Sequence, residues 1–421
     1  MMLSAFDEII GYQSIVEELK QLCDMMQHPE AYVKLGAQIP KGLLLCGVPG
    51  CGKTMMANAL IKECGRKSYI IRRGKPTDSF ISEMNKTFQN AIDNSPSIIL
   101  LDDMDKFAVK ERSKEEYIAV QACIDEVHND DVFVIGTANS INDFPESLLR
   151  SGRFDRAIVV PSPNDEDLIK IISYYLSKRR FVDHINTGDI AKMLYGVSCA
   201  DVESIINEAA IYSGADRADV ITQEKIIKAF IRSNSGIDRT VSLDCSKNYQ
   251  ETLYHEAGHA VISDILVPGS VGFIALNSNN GKYCNGITIN CCLNSLSNDE
   301  RIEVYLAGKA AEELKFGKTS VGSSTDLNRA FNRMSRRITD NGEFGIGMLS
   351  NKNNDDDPSC IAIIRTSLER YFAFVKEILA ANRTYLEYVV KELTRRNYLL
   401  NSDIIQIRKR IKIVSPKLHV L

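Results

Sequence analysis

Gly42-Leu43-Leu44-Leu45-Cys46-Gly47-Val48-Pro49-Gly50-Cys51-Gly52-Lys53-Thr54 joins a short apolar run to a glycine-rich turn ending on a lysine and a threonine. A strand leading through such a turn into a helix reads as a phosphate-binding loop. In the loop Gly47, Val48, Pro49, Gly50, Cys51 and Gly52, the backbone N–H groups of every residue but Pro49, with the following helix N-terminus, are placed to cradle phosphates. Lys53 would neutralise the outer phosphates and the Thr54 hydroxyl would ligate magnesium, which makes ATP and Mg2+ the expected ligands.

Working outward, apolar runs at 42–46, 68–71, 97–102, 132–137 and 157–160 alternate with helix-like segments. Strands alternating with helices indicate an α/β domain with a mainly parallel sheet covered by helices. The third run delivers Asp102 and Asp103 at its C-terminal end, where open α/β sheets bind ligands. Asp102 is the candidate magnesium partner and Asp103 the candidate for polarising the attacking water. Asn139 follows the next strand and is placed to orient that water. Arg150 and Arg153 are candidates to supply charge to the transferred phosphoryl group, although spacing alone reads them as surface arginines.

Past Pro161 the pattern becomes helical, at 165–177, 198–213 and 222–233, and a polar stretch with weak periodicity follows. The expected organisation is an α/β nucleotide domain at 1–160, a helical lid at 161–234, a linker at 235–247 and a mainly helical domain at 248–421. In the last, helices are expected at 299–315, 324–339 and 359–396, with a Gly/Asn-rich loop at 277–282 and a polar loop at 350–358.

A formal charge of −4 gives no electrostatic reason to expect nucleic acid as the partner. Eleven cysteines without CxxC pairing point to a reducing, cytoplasmic compartment. No leader and no run of 18 or more apolar residues is read in the chain.

The other chemical motif is His255-Glu256-Ala257-Gly258-His259. Histidines four apart lie on one helix face, so both imidazoles reach one Zn2+ while Glu256 sits beside it, able to take a proton from metal-bound water. A catalytic zinc needs a third protein ligand, and no third histidine is close by. Glu312, Glu313 and Asp326 are the candidates. Read on its own, Asp326 is a carboxylate favouring the first turn of a helix.

Read in order, residues 47–54, 101–105, 134–139, 148–156 and 196–201 resemble the AAA ATPase family. Residues 254–260, 307–313 and 322–327 are similar to the peptidase domain of FtsH-type AAA metalloproteases, the similarity running from Phe6 to about Met348. The resemblance implies Asp326 as third zinc ligand. It also implies a homo-oligomeric, hexameric ring in which Arg150 and Arg153 reach the neighbouring subunit's ATP, and polypeptide substrates.

The sequence departs from that family in four places. Asp103 stands where the family has Glu, a carboxylate one methylene shorter. The 74–80 segment lacks the aromatic-apolar-Gly triplet that grips polypeptide, and the 126–131 segment lacks an Asp-Gly-Phe element. The family's membrane anchor precedes its ATPase, so membrane tethering is expected only if such an anchor is missing from this chain. The resulting expectation is an ATP-dependent zinc endopeptidase degrading unfolded or membrane-derived polypeptides. The alternative is an ATP-dependent remodelling or scaffolding protein with weak or vestigial proteolysis.

Overall fold

The computed structural model describes residues 4–109, 114–150, 152–182, 184–235, 248–279, 283–292, 295–318, 324–340, 343 and 358–415. The chain divides into two compact units, one of residues 1–179 and 196–207, the other of residues 180–195 and 208–421. The expected linker at 235–247 falls almost wholly outside the described residues, as does most of the polar loop at 350–358.

The first unit carries five strands: β1 (Gly42–Gly47), β2 (Lys67–Arg72), β3 (Ser97–Asp102), β4 (Val132–Ala138) and β5 (Arg156–Val160). They form one parallel sheet in the order β2-β3-β4-β1-β5. β3 and β4 are buried throughout, which is why they read as nearly continuous apolar runs. Helices Lys53–Cys64, Thr77–Asp93 and Lys114–Glu126 flank the sheet in sequence, and Phe80, Met84 and Phe88 of the second join its apolar core. Because β1 sits between β4 and β5, the ends of β1, β3 and β4 converge at one rim. A ligand site belongs there in an open α/β sheet.

The second unit is mainly helical, built on Tyr249–Leu266, Asn298–Phe316, Ser324–Thr339, Pro358–Ala381 and Arg383–Arg396. Ser297 caps the second helix through a reciprocal capping box with Glu300, and Gly317 ends it in the left-handed region at φ 65°. The expected single helix at 359–396 is two, because Asn382 breaks it. The Asn382 side chain donates to Ile378 O and Val414 O, and its Oδ1 accepts from Val414 N, an alternative to continuing the ladder.

This unit also contains a small antiparallel sheet that the sequence reading did not find. Its strands are β6 (Val271–Asn279), β7 (Tyr283–Asn290) and β8 (Tyr398–Leu400), in the order β7-β6-β8. Residues 271–277 are all buried, so the alternation that announces a half-exposed strand is missing. Leu253, Ala257 and Val261 pack with Ala307, Ala311, Ile274, Val375 and Val389 into one core. The small residues let two helices approach closely: a Cβ on Gly258 would stand 2.6 Å from Ala307 O. Among the described residues no helix is long and apolar enough to cross a membrane.

Candidate nucleotide and metal sites

The loop after β1 is held open for a ligand by its glycines. Gly50 has φ 80°, and a Cβ there would lie 2.6 Å from Ser198 Oγ, so only glycine fits. Lys53 is buried and its Nζ donates to Gly47 O at 2.7 Å, Val48 O at 3.1 Å and Asn139 Oδ1 at 3.1 Å. The ammonium thus occupies the loop's concavity with its own backbone carbonyls as partners. Thr54 Oγ1 donates to Asp102 Oδ1 at 2.8 Å, which brings together the hydroxyl and the carboxylate expected to share magnesium.

Asp102 is surrounded by donors. Thr137 Oγ1 reaches the same oxygen at 2.7 Å and Arg72 Nε donates to Oδ2 at 2.8 Å. Burial works against its ionisation, yet the hydrogen bonds from Thr137, Thr54 and Arg72 outweigh it and hold the carboxyl below its ordinary range. Asp103 turns out of the strand in the left-handed region at φ 59°, half-exposed, with its carboxylate 2.8 Å from Lys106 Nζ. Asn139 is fixed from behind, its N–H donating to both carboxylate oxygens of Asp105 at 2.9 Å. Thr137, Arg72 and Asp105 were not singled out in the sequence, because each acts on a motif residue from another strand or turn.

Arg153 forks onto Asp125, with Nε and Nη2 at 2.6 and 2.7 Å from its two oxygens. Arg150 is exposed and lines the same shallow hollow. Among the described contacts neither arginine touches the phosphate loop. In the 74–80 segment, Phe80 is 2% exposed and packs edge-on against Phe107 at 5.2 Å, so the one aromatic there serves the core.

In the second unit, helix Tyr249–Leu266 presents His255 and His259 on the face turned to helix Asn298–Phe316, and Asp326 enters from the first turn of helix Ser324–Thr339. His255 Nε2 and His259 Nε2 are 3.0 Å apart, and each lies 3.3 Å from Asp326 Oδ2. A metal bound tetrahedrally at roughly 2.0–2.2 Å has its ligand atoms about 3.3 Å apart. The three donor atoms therefore already stand at the corners of such a site.

The outer nitrogens are fixed as well. His255 Nδ1 is 2.7 Å from Glu312 Oε1, and His259 Nδ1 is 2.7 Å from Val304 O, acceptors that favour an Nδ1 proton pointing outward and leave Nε2 of each ring as the atom a metal would take. Burial disfavours charge on His255, but without a metal Asp326 and Glu312 override it and push its pKa up to about 10, so a metal would take the place of the Nε2 proton. Burial likewise opposes ionisation of Asp326, and hydrogen bonds from His255 and His259 still hold it well below the usual carboxylate range. Glu312 thus stands behind His255, and Glu313 pairs with Lys376 at 2.6 Å.

Glu256 points into a cleft of about 550 Å³ and accepts from Thr288 Oγ1 on β7 at 2.5 Å. Two glycines make room. A Cβ on Gly286 would lie 2.1 Å from Glu256 Cγ, and one on Gly308 would lie 2.5 Å from His255 Cε1 and 2.6 Å from His259 Nε2. Thr288 and Gly286 carry no motif of their own and were invisible in the sequence, while Gly308 lies in the 307–313 stretch without a role assigned to it there.

Fold and sites together define a chain that joins an AAA-type nucleotide domain to a helical domain with a three-donor metal centre. Residues 43–162 match the model of the ATPase family associated with various cellular activities (AAA). The chain is 29% identical over 344 residues to the ATP-dependent zinc metalloprotease FtsH 2 of Sphaerobacter thermophilus, covering 76% of this chain and 52% of that protein. It is 30% identical to the FtsH of Mesomycoplasma conjunctivae, covering 84% and 50%, and 27% identical to that of Helicobacter pylori, covering 92% and 68%. The chain is thus a relative of the FtsH-type AAA ATPase zinc metalloproteases, and it spans about half the length of the first two of these.

Proposed function

We propose that this chain is the ATPase and peptidase portion of an ATP-dependent zinc endopeptidase acting on unfolded or membrane-derived polypeptides. The observation that carries the reading is the mutual spacing of His255 Nε2, His259 Nε2 and Asp326 Oδ2 with the Glu256 carboxylate beside them. These three residues would hold zinc, and zinc when bound supplies a Lewis acid for water and the peptide carbonyl. Glu256 receives the proton of the attacking water and returns it to the leaving amine, and Thr288 fixes the direction from which it does so. Glu312 and Val304 O keep both imidazoles in the tautomer that binds.

At the other site, Lys53 would exchange the loop carbonyls for phosphate oxygens of ATP. Thr54 and Asp102 would hold Mg2+, and Asp103 and Asn139 would orient the attacking water. The proposed assembly is a hexameric ring of identical chains, in which Arg150 and Arg153 serve a neighbour's nucleotide. Free cysteines throughout the described residues fit a reducing, cytoplasmic setting.

The burial of Phe80 favours a second reading, ATP-dependent remodelling with weak proteolysis, because the 74–80 segment then has no aromatic to grip a chain. One experiment separates them. Protein with zinc, Mg2+ and ATP is given an unfolded apolar polypeptide and compared with Glu256→Gln. Cleavage lost in the variant supports the endopeptidase. Equal and negligible cleavage by both, with ATP turnover intact, supports the remodeller.

A further inference from the structure

We propose that a basic groove running away from the metal cleft is a substrate subsite selecting polypeptide segments that carry carboxylates a few residues from the scissile bond. This rests on the peptidase reading above. The groove has a volume of about 340 Å³ and shares Tyr305 and Arg329 with the metal cleft, so the two are continuous. Its floor is helix Ser324–Thr339, which enters the metal site with Asp326 and then presents Arg329, Arg333 and Arg336 at positions i, i+4 and i+7 of one face.

Among the described residues, the charges along this face are not balanced from within. Arg329 is exposed, and its ion pair among the described residues is a 3.5 Å contact with Asp326, the proposed metal ligand. Arg333 Nη1 donates to Asn298 Oδ1 at 2.8 Å, a neutral acceptor, and no described carboxylate pairs with it. Arg336 is exposed and makes no ion pair among the described residues. Their neighbour Arg337 shows what a structural arginine looks like here: it pairs with Asp299 and Glu343, each at 2.5 Å, and accepts no further anion. Asp340 is the acidic residue at the far end of the groove.

The spacing fits an extended peptide. At 1.5 Å rise per residue, Arg333 and Arg336 lie roughly 10 and 15 Å along the helix from Asp326. An extended strand covers that distance in about three to five residues. Planar guanidinium groups pair with carboxylates through two parallel hydrogen bonds, which gives direction as well as attraction. Part-exposed pairs are each worth only a few-fold, so two or three acting together give a preference of about tenfold.

The test uses the zinc-loaded full chain and fluorogenic peptides with one apolar cleavage segment, flanked on one side or the other by Asp/Glu, Asn/Gln or Lys residues. The expected kcat/KM is about tenfold higher for acidic than for lysine flanks on one side, shrinking as salt is raised. Arg333→Glu with Arg336→Glu inverts that ratio, whereas Arg333→Lys with Arg336→Lys keeps its sign. Zinc content and melting temperature matched to the parent show that each variant is folded. Binding of the same labelled peptides to Glu256→Gln, followed by fluorescence anisotropy, reads the groove without cleavage. A ranking unaffected by charge reversal, or a single-stranded oligonucleotide that binds more tightly than the acidic peptide, overturns the proposal. Neutral peptides cut with no acidic preference would sink the groove and leave the peptidase standing. Acid-selective binding without any cleavage would do the reverse.

Discussion

Gly286 on β7 lies so close to Glu256 that a methyl group at its Cα would stand 2.3 Å from the carboxylate oxygen Oε1. The strand and the carboxylate are built around each other. Gly286→Ala should therefore displace Glu256 while sparing His255, His259 and Asp326. The expected outcome is full zinc occupancy with peptide cleavage down about 100-fold, the cost of a misplacement on the order of 1 Å. Metal analysis beside kcat on one peptide checks it, and loss of zinc in parallel with activity would show that the two functions are not separable here.

Gly308→Ala should do the opposite. Its methyl group would meet both imidazoles, at 2.5–2.6 Å, and drive them off their shared axis. Zinc affinity should fall by roughly 10- to 100-fold, as when ligand orientation is lost elsewhere. Competition with a chromogenic chelator measures it.

A buried anion ties the helical unit together. Asp264 is 0% exposed and accepts from Tyr385 OH at 2.8 Å, Arg408 Nη1 at 2.6 Å and Gly269 N at 2.8 Å. Asp264→Ala strands the guanidinium and phenol of two other helices, and should cost about 3 kcal/mol. Urea unfolding of the zinc-loaded protein reads this directly, and a change under 1 kcal/mol would show that the network relaxes.

Glu303 gives a pH dependence. Burial, with Asp299 and Glu300 nearby, pushes its pKa from 4.5 up to about 7. Between those values the folded chain holds a proton that the unfolded chain has lost, so stability falls as pH rises from about 4.5 through 7 and is flat above. The full effect is roughly 3 kcal/mol. Comparing unfolding midpoints of the parent and Glu303→Gln from pH 5 to 8 isolates it: the variant should lose that part of the slope.

The ring is tested by complementation. Arg153→Ala mixed with Lys53→Ala should recover ATP turnover, since a mixed assembly contains junctions in which each chain supplies what the other lacks. Recovery must depend on total concentration. A monomer that turns over ATP at a constant specific rate would remove the trans role and leave Arg153 as the partner of Asp125.

What could be read from sequence was whatever is local. The five parallel strands and the helix at 324–339 announce themselves by apolar runs and periodicity, and Lys53, Thr54, His255 and His259 by spacing within a single turn. Asp326 required either a resemblance or the structure, because its own surroundings say only that it begins a helix. Thr288, Thr137 and Asp105 work across elements distant in sequence, and no local pattern predicts which hydroxyl or carboxylate will face a motif; Glu312 is a candidate ligand in the sequence, and only the structure puts it behind His255. β6 hid for a different reason: a strand covered on both faces has no alternation to show.

The segment at 180–195 packs on the sheet of the helical unit, where Lys192 O stands 2.3 Å from the place a Cβ on Gly272 would occupy and Asp189 accepts from both Ser402 N and Oγ. The backbone accordingly passes between the two units at 179–180, 195–196 and 207–208. Severing the chain anywhere in 236–247 would therefore not release the helical unit as an independent piece. A fragment starting at residue 248 would leave behind the part of itself that covers β6 at Gly272, and would present bare backbone where Lys192 had been.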